Sequence, residues 1–284
     1  MSTAVKEGRK VTPGQCLEQV HEKTPLIHNI TNYVTVNDVA NALLACGGSP
    51  IMSDEPNDVF EITSICGGLN INIGTLNERS IEAMSVAGSR ARSLGHVILL
   101  DPVGAGASTL RTTTAQMVIN TARPNVIRGN ISEIKTLAKG TGTTKGVDAD
   151  AADAVTEDNL DEMVAFVKAF AKKVNAVIAI TGAIDLVGDS EVCYVIRNGR
   201  PEMSRITGTG CQLSAVATAY AVANPENMTD AVAAAVMVMG LAGEIGWSRM
   251  QEGDGNSTYR NRIIDAIFNM DSKTLEEGAK YEIR

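Results

Sequence analysis

Short apolar runs alternate with longer helical patterns along most of this 284-residue chain, and no other feature limits the possible folds so strongly. Strands are predicted at 25–28, 49–52, 69–73, 97–100, 125–127 and 176–180. Helices are predicted at 36–45, 58–66, 78–94, 113–121, 132–138 and 160–173. Val97-Ile98-Leu99-Leu100 lacks polar alternation, as expected of a strand covered on both faces. Gly47-Gly48, Gly67-Gly68 and Gly95 follow three of the helices as stop signals. Thr12-Pro13 supplies an N-cap and a first-turn residue for an opening helix. This order predicts a largely parallel α/β sheet flanked by helices on both faces.

The pattern changes after residue 180. Asp185-Leu186-Val187 and 192–196 flank Gly188-Asp189-Ser190 and predict an antiparallel hairpin at the sheet edge, with Asn198-Gly199 as a further turn. Gly140-Thr141-Gly142-Thr143-Thr144 reads as a loop. Beyond Cys211 the chain reads as helical to Met270, with a turn at 254–257. With no repeat and no dividing linker, residues 1–284 are expected to form a single domain.

Composition narrows the partners. The formal net charge is -8 and no lysine/arginine block occurs, so neither nucleic acid nor an anionic membrane surface is expected. Five scattered cysteines without a C-x-x-C pair point to reduced thiols and a cytoplasmic protein. Residues 1–8 lack the long apolar core of a secretory signal. The Ala-rich run 231–240 is short for a membrane span and fits a buried helix.

Gly208-Thr209-Gly210-Cys211 precedes the apolar run 213–219, which reads as a buried helix. A glycine turn feeding a helix gathers unpaired N–H groups at the positive end of the dipole and so attracts phosphate. Cys211 places a thiol beside that cup. In open α/β sheets ligands bind beyond the carboxyl ends of strands. Following the strand ends, Asn29-Ile30-Thr31-Asn32 offers amides to a ligand, or helix caps. Met52 suits a flat or sulfur-bearing ring, or fills core. Asp101-Pro102-Val103-Gly104-Ala105-Gly106 offers a carboxylate for magnesium, or a turn cap, with glycines that admit a ligand closely. Arg128-Gly129-Asn130-Ile131-Ser132-Glu133 reads either as a capped helix start or as an arginine for phosphate and an acid for metal-bound water. Thr181-Gly182 suits a nucleotide phosphate, or forms an ordinary turn. Together these residues fit Mg²⁺-assisted phosphoryl transfer.

The segments 25–32, 72–76, 101–107, 128–133 and 208–211 occur together, and in this order the chain resembles the ribokinase-like superfamily of small-molecule kinases. Within it, the chain is similar to the hydroxyethylthiazole kinase family of thiamine salvage. The resemblance implies a ribokinase-like fold and transfer of phosphate from ATP to 4-methyl-5-(2-hydroxyethyl)thiazole. It also implies Mg²⁺ and a homotrimer with active sites between subunits. Carried over by motif, it makes Asn32, Met52 and Gly208 thiazole contacts, Arg128 and Thr181 ATP contacts, and Asp101 and Glu133 the acids for magnesium and phosphate-bound water. Gly208, Thr209, Gly210 and Cys211 form the anion hole. The wider superfamily has aspartate as a base where this chain has Cys211, and a helix N-terminus is expected to lower the thiol pKa. Loose phosphoryl transfer needs little base strength, so Cys211 is expected to assist without being essential.

Three other readings compete. A related kinase would phosphorylate a pyrimidine alcohol. A cysteine hydrolase would pair Cys211 with His28 or His96. A nucleotide-binding module would tolerate loss of the acids.

Overall fold

A computed structural model describes residues 11–140 and 154–284; the stretch 1–8 and the loop residues 141–144 considered above lie outside them. The strands are β1 (Leu26–Ile30), β2 (Ser49–Met52), β3 (Gly68–Asn72), β4 (Val97–Asp101), β5 (Val126–Gly129), β6 (Val177–Ile180), β7 (Asp185–Gly188), β8 (Cys193–Ile196) and β9 (Tyr281–Ile283). They form one nine-stranded sheet in the order β2-β1-β3-β4-β5-β6-β7-β8-β9. Pairing is parallel from β2 to β6 and antiparallel from β6 to β9. The helices are α1 (Pro13–Lys23), α2 (Val36–Ala45), α3 (Val59–Ile65), α4 (Glu78–Leu94), α5 (Thr109–Ala122), α6 (Ile131–Lys139), α7 (Leu160–Val174), α8 (Thr209–Ala223), α9 (Met228–Ser248), α10 (Asn256–Phe268) and α11 (Ser272–Gly278).

Local chemistry explains most boundaries. Thr12 and Gln15 close a capping box with Pro13 at the first helical position, and Asn77 with Ser80 does the same for α4. Gly95 ends α4 in the left-handed region, φ 69°. Two expectations need correction. Helix α5 starts four residues before the predicted Thr113, because Ser108 caps it by accepting from Arg111 N; the threonine-rich first turn has weak helix propensity and hid that start. The antiparallel edge is three strands, not a hairpin alone, because the carboxyl-terminal β9 pairs with β8. Three residues give too short a run for period-two patterning to show.

Two cores flank the sheet. One lies under α1, α2, α8, α9 and α10, the other under α3 to α7. In β4, Leu99 enters the first core while Ile98 and Leu100 enter the second, as a doubly covered strand requires. Strand β3 reads Gly-Leu-Asn-Ile-Asn, a polar alternation that ordinarily marks a solvated face, yet all five residues are buried. The asparagines face α8 and pair laterally: Asn70 Nδ2 donates to Asn29 Oδ1 at 3.0 Å, and Asn72 Nδ2 to Asp101 Oδ2 at 2.9 Å.

Helix α8 lies close against this polar row. A Cβ on Gly68 would stand 2.5 Å from Val222 Cγ2, so that glycine lets helix and sheet meet. The fit sets the first turn of α8 at the carboxyl edge of the central strands. Residues 225–248 are long and apolar enough for a membrane span, longer than the run 231–240 suggests, but 78% of the apolar window is buried inside the fold. All five cysteines are free and buried.

Candidate active site

The register places Asn72 beside Asp101, and Arg128 follows on the next strand. Asp101 is buried at the end of β4, so it is not a turn cap on the surface. Its Oδ2 accepts from Ser214 Oγ at 2.7 Å, Asn72 Nδ2 at 2.9 Å and Arg128 Nη1 at 3.4 Å. Burial pushes its carboxyl up, and Arg128, Ser214 and Asn72 offset only part of that rise.

Glu133 caps its helix and also reaches across to a second loop. Its Oε2 accepts from Asn130 N at 2.8 Å in a capping box, and its Oε1 accepts from Gly104 N at 2.8 Å. The acid therefore joins the start of α6 to the glycine loop after β4. Burial raises its carboxyl, and Asp101 nearby adds to the rise.

Arg128 connects the acids to the glycine turn. Its Nη2 donates to Thr181 Oγ1 at 2.5 Å, and a Cβ on Gly210 would stand 2.7 Å from its Nη1. Gly208 is the N-cap residue of α8 at φ 87° and offers no side-chain cap. The turn's first helical bond runs from Gln212 N to Gly208 O at 2.9 Å, so the amides of Thr209, Gly210 and Cys211 precede it. Beside them opens a cavity of about 530 Å³, whose lining includes Arg128, Thr181, Thr209, Gly210, Met203 and Met239. A charged, hydroxylated end adjoins an apolar slot, which suits a nucleotide with its phosphates at the turn.

Asp185 also lines this cavity and accepts from Gly182 N at 2.8 Å. Burial raises its pKa from 3.8 to about 7. The folded chain therefore holds a proton that the unfolded chain releases between pH 3.8 and about 7, and parental stability falls as pH rises through that window. Asp185→Asn keeps the acceptor and abolishes the titration. Its stability gain over the parent is expected to grow from small at pH 4 to roughly 4 kcal/mol at pH 8.5, read from thermal melts at both pH values.

Cys211 is buried at the start of α8, within hydrogen-bonding reach of Thr35 and Asn72. Burial pushes its thiol up and Asp101 adds to the rise, overcoming those hydrogen bonds and Arg128. This corrects the expectation of a lowered thiol: enclosure outweighs the helix end. The hydrolase reading also falls. His28 is committed to Thr63 Oγ1 and Ser53 O, both at 2.9 Å, and His96 lies at the amino end of β4, opposite Cys211.

Asn32 and Met52 are half-buried and do not line the cavity. Asn32 Oδ1 accepts from Val34 N at 2.9 Å, and a Cβ on Gly74 would stand 2.3 Å from its Nδ2. It holds its own turn and does not cap α2, whose N-cap residue Thr35 makes no side-chain cap bond. Met52 pairs in register with Asn29, one strand from Asn70, and packs against the first core. These two residues flank the acid row on the side where the sheet ends in β2.

Asn72, Ser214 and Thr35 belong to the site and were not singled out from the sequence. The alternation in β3 was the signal for Asn72, and a hydroxyl within the apolar run of α8 was the signal for Ser214. Arg111 was missed as well: it donates to Val103 O at 2.7 Å and Gly74 O at 2.8 Å, tying together the loops after β3 and β4.

The donor set fits a divalent ion of one kind. Asp101 Oδ1 is buried with no protein partner, facing the need for a cation or a water. No group of three or more His, Cys, Asp or Glu side chains occurs among the described residues. An ion at Asp101 Oδ1 would take most of its ligands from water and phosphate, as magnesium does, with Glu133, whose oxygens already accept from Gly104 N and Asn130 N, reached through water.

Comparison with known proteins gives a consistent picture. The family model described as the hydroxyethylthiazole kinase family matches residues 17–273. A hydroxyethylthiazole kinase of Clostridium acetobutylicum is 58% identical over 266 residues, covering 94% of this chain and 97% of the relative. Another, from Methanobrevibacter smithii, is 40% identical over 277 residues, covering 95% and 96%. The solved structure of a hydroxyethylthiazole kinase protein from Pyrococcus horikoshii superposes with a TM-score of 0.84 at 30% identity, covering 96% of this chain and 98% of that one. A Staphylococcus aureus pyridoxal kinase solved with ADP shares the fold at TM-score 0.61 and 14% identity, covering 91% and 97%.

Proposed function

The chain belongs to the hydroxyethylthiazole kinase family, and from that premise we propose that it transfers the γ-phosphoryl group of ATP to the hydroxyl of 4-methyl-5-(2-hydroxyethyl)thiazole in thiamine salvage. The observation that carries the site assignment is the position of Arg128. It stands between Asp101, Thr181 and Gly210 at the mouth of the cavity, so one guanidinium joins the acid row to the anion turn. The amides of Thr209, Gly210 and Cys211 cradle the migrating phosphoryl group, and Arg128 and Thr181 bind the nucleotide phosphates. Asp101 and Glu133 hold Mg²⁺ with water. When bound, the ion neutralises charge on the β- and γ-phosphates. Asn32, Met52 and Gly208 seat the thiazole.

Cys211 orients the alcohol as a neutral thiol. Its raised pKa argues against a resident thiolate, and a loose transition state asks little of a base. A homotrimer with sites between subunits is what the family resemblance implies, and such an assembly would cover the exposed Tyr33 and Val34 next to Asn32. The single nine-stranded sheet supports one kinase domain across 1–284, and the reduced thiols support a cytoplasmic setting.

A coupled ADP-release assay with the thiazole alcohol and a pyrimidine alcohol tests the reading. Magnesium-dependent release is expected with the thiazole; release with the pyrimidine alone would replace the substrate. In the same assay Cys211→Ala is expected to keep turnover at roughly a tenth of parental kcat. Complete loss in a folded variant would instead make the thiol an obligatory base.

A further inference from the structure

The two oxygens of Asp101 are held unequally. Oδ2 takes three donors, from Ser214, Asn72 and Arg128, while the buried Oδ1 takes none from the protein. Ser214 is fully buried in α8, three residues after Cys211, in a run 213–219 whose only other polar side chain is that of Thr218. A helical serine ordinarily turns its hydroxyl back to the carbonyl one turn earlier. Thr218 does so, donating to Ser214 O at 2.8 Å. Ser214 directs its single proton to the carboxylate at 2.7 Å instead. Asn72 is fixed in turn, because its Oδ1 accepts from Gly74 N at 2.9 Å.

Two firm donors on one oxygen set the rotation of the carboxylate and leave the other oxygen bare. One donor comes from the helix that carries the phosphate turn. The acid and the turn are thereby locked at a fixed offset, independent of the loops that connect them. We propose that Ser214 is a positioning residue which, with Asn72, clamps Oδ2 of Asp101 so that Oδ1 is presented ready-aimed to the Mg²⁺–nucleotide lying on the first turn of α8. The inference rests on the reading of Asp101 as a magnesium acid.

The test is calorimetric titration of a nonhydrolysable ATP analogue into the full-length protein, with and without Mg²⁺, alongside steady-state kinetics. Ser214→Ala is expected to bind the metal-free analogue within about twofold of the parent and to lose roughly tenfold of the affinity that Mg²⁺ adds. The Mg²⁺ half-saturation for turnover rises to match, and KM for the alcohol stays put. Ser214→Thr, which retains the hydroxyl, returns the Mg²⁺ increment. Parental Mg²⁺ dependence in Ser214→Ala overturns the proposal. So does an equal loss of metal-free and metal-bound affinity, which marks packing alone. Asp101→Asn in the same titration separates the two levels: if it too keeps the full Mg²⁺ increment, the assignment of Asp101 fails, and the clamp with it. Should Ser214→Ala not fold by circular dichroism, Asn72→Ala removes another donor to the same oxygen and is judged by the same outcomes.

Discussion

Asp101→Asn is expected to turn over roughly 10²–10³ times more slowly than the parent while binding metal-free nucleotide about as well. The substitution is nearly isosteric. Its carbonyl oxygen can occupy the place of Oδ2 and keep the donors from Ser214, Asn72 and Arg128, so the fold is retained. The amide nitrogen then takes the place of the bare Oδ1 and presents hydrogens where a cation needs a lone pair. Metal-free binding is expected to survive because Arg128 and the α8 amides, the groups proposed to meet the phosphates, remain; with Asp101 neutral, Arg128 would offer them a less compensated charge. The raised carboxyl of Glu133 is expected to fall, since one cause of its rise is the charge on Asp101. Saturating-Mg²⁺ kcat and metal-free titration are the two measurements. A kcat within threefold of the parent would remove Asp101 from the chemistry.

Gly208→Ala should be nearly inactive and less stable by roughly 2–4 kcal/mol, from two separate causes. The residue sits at φ 87°, in the left-handed region that a Cβ disfavours. The added carbon would also lie 2.3 Å from Thr35 Cγ2. Thr35 cannot yield freely: it is buried, starts α2 and reaches the Cys211 thiol. Any relief is expected to rotate the first turn of α8 and so misdirect the amides proposed to hold the phosphoryl group. Denaturant unfolding and kcat are the readouts. Adding Thr35→Ser removes the clashing methyl but leaves the backbone strain, so the double variant is expected to recover part of the stability. Full recovery would show that the left-handed conformation at 208 costs nothing, contrary to the argument.

Much of this site was legible one residue at a time. The glycine turn before an apolar run, the acid ending an all-apolar strand, and Asn130 three residues before Glu133 are local patterns with local causes, and the latter two sit at carboxyl strand ends as the βαβ order requires. Glu133 shows the limit of such reading. The local pattern supplies the cap on α6, but a carboxylate has two oxygens, and the second accepts from Gly104 N on a different loop, a partner no local pattern names. Cys211 shows a second limit. A helix end argues for a depressed thiol, and only the packing of α8 on β3 reveals the enclosure that raises it.

The order of elements, the parallel sheet covered on both sides, the glycine turn before α8 and the residue types at the strand ends were determined by the sequence, because periodicity, caps and glycines act between neighbours in the chain. The partners of those residues were decided by the tertiary structure. Asn72 meets Asp101 because of strand register, Ser214 meets it because α8 rests close on the sheet, and Thr35 makes glycine necessary at 208 because α2 begins beside α8. Such contacts join residues 29 to 173 positions apart, and no local pattern carries that information.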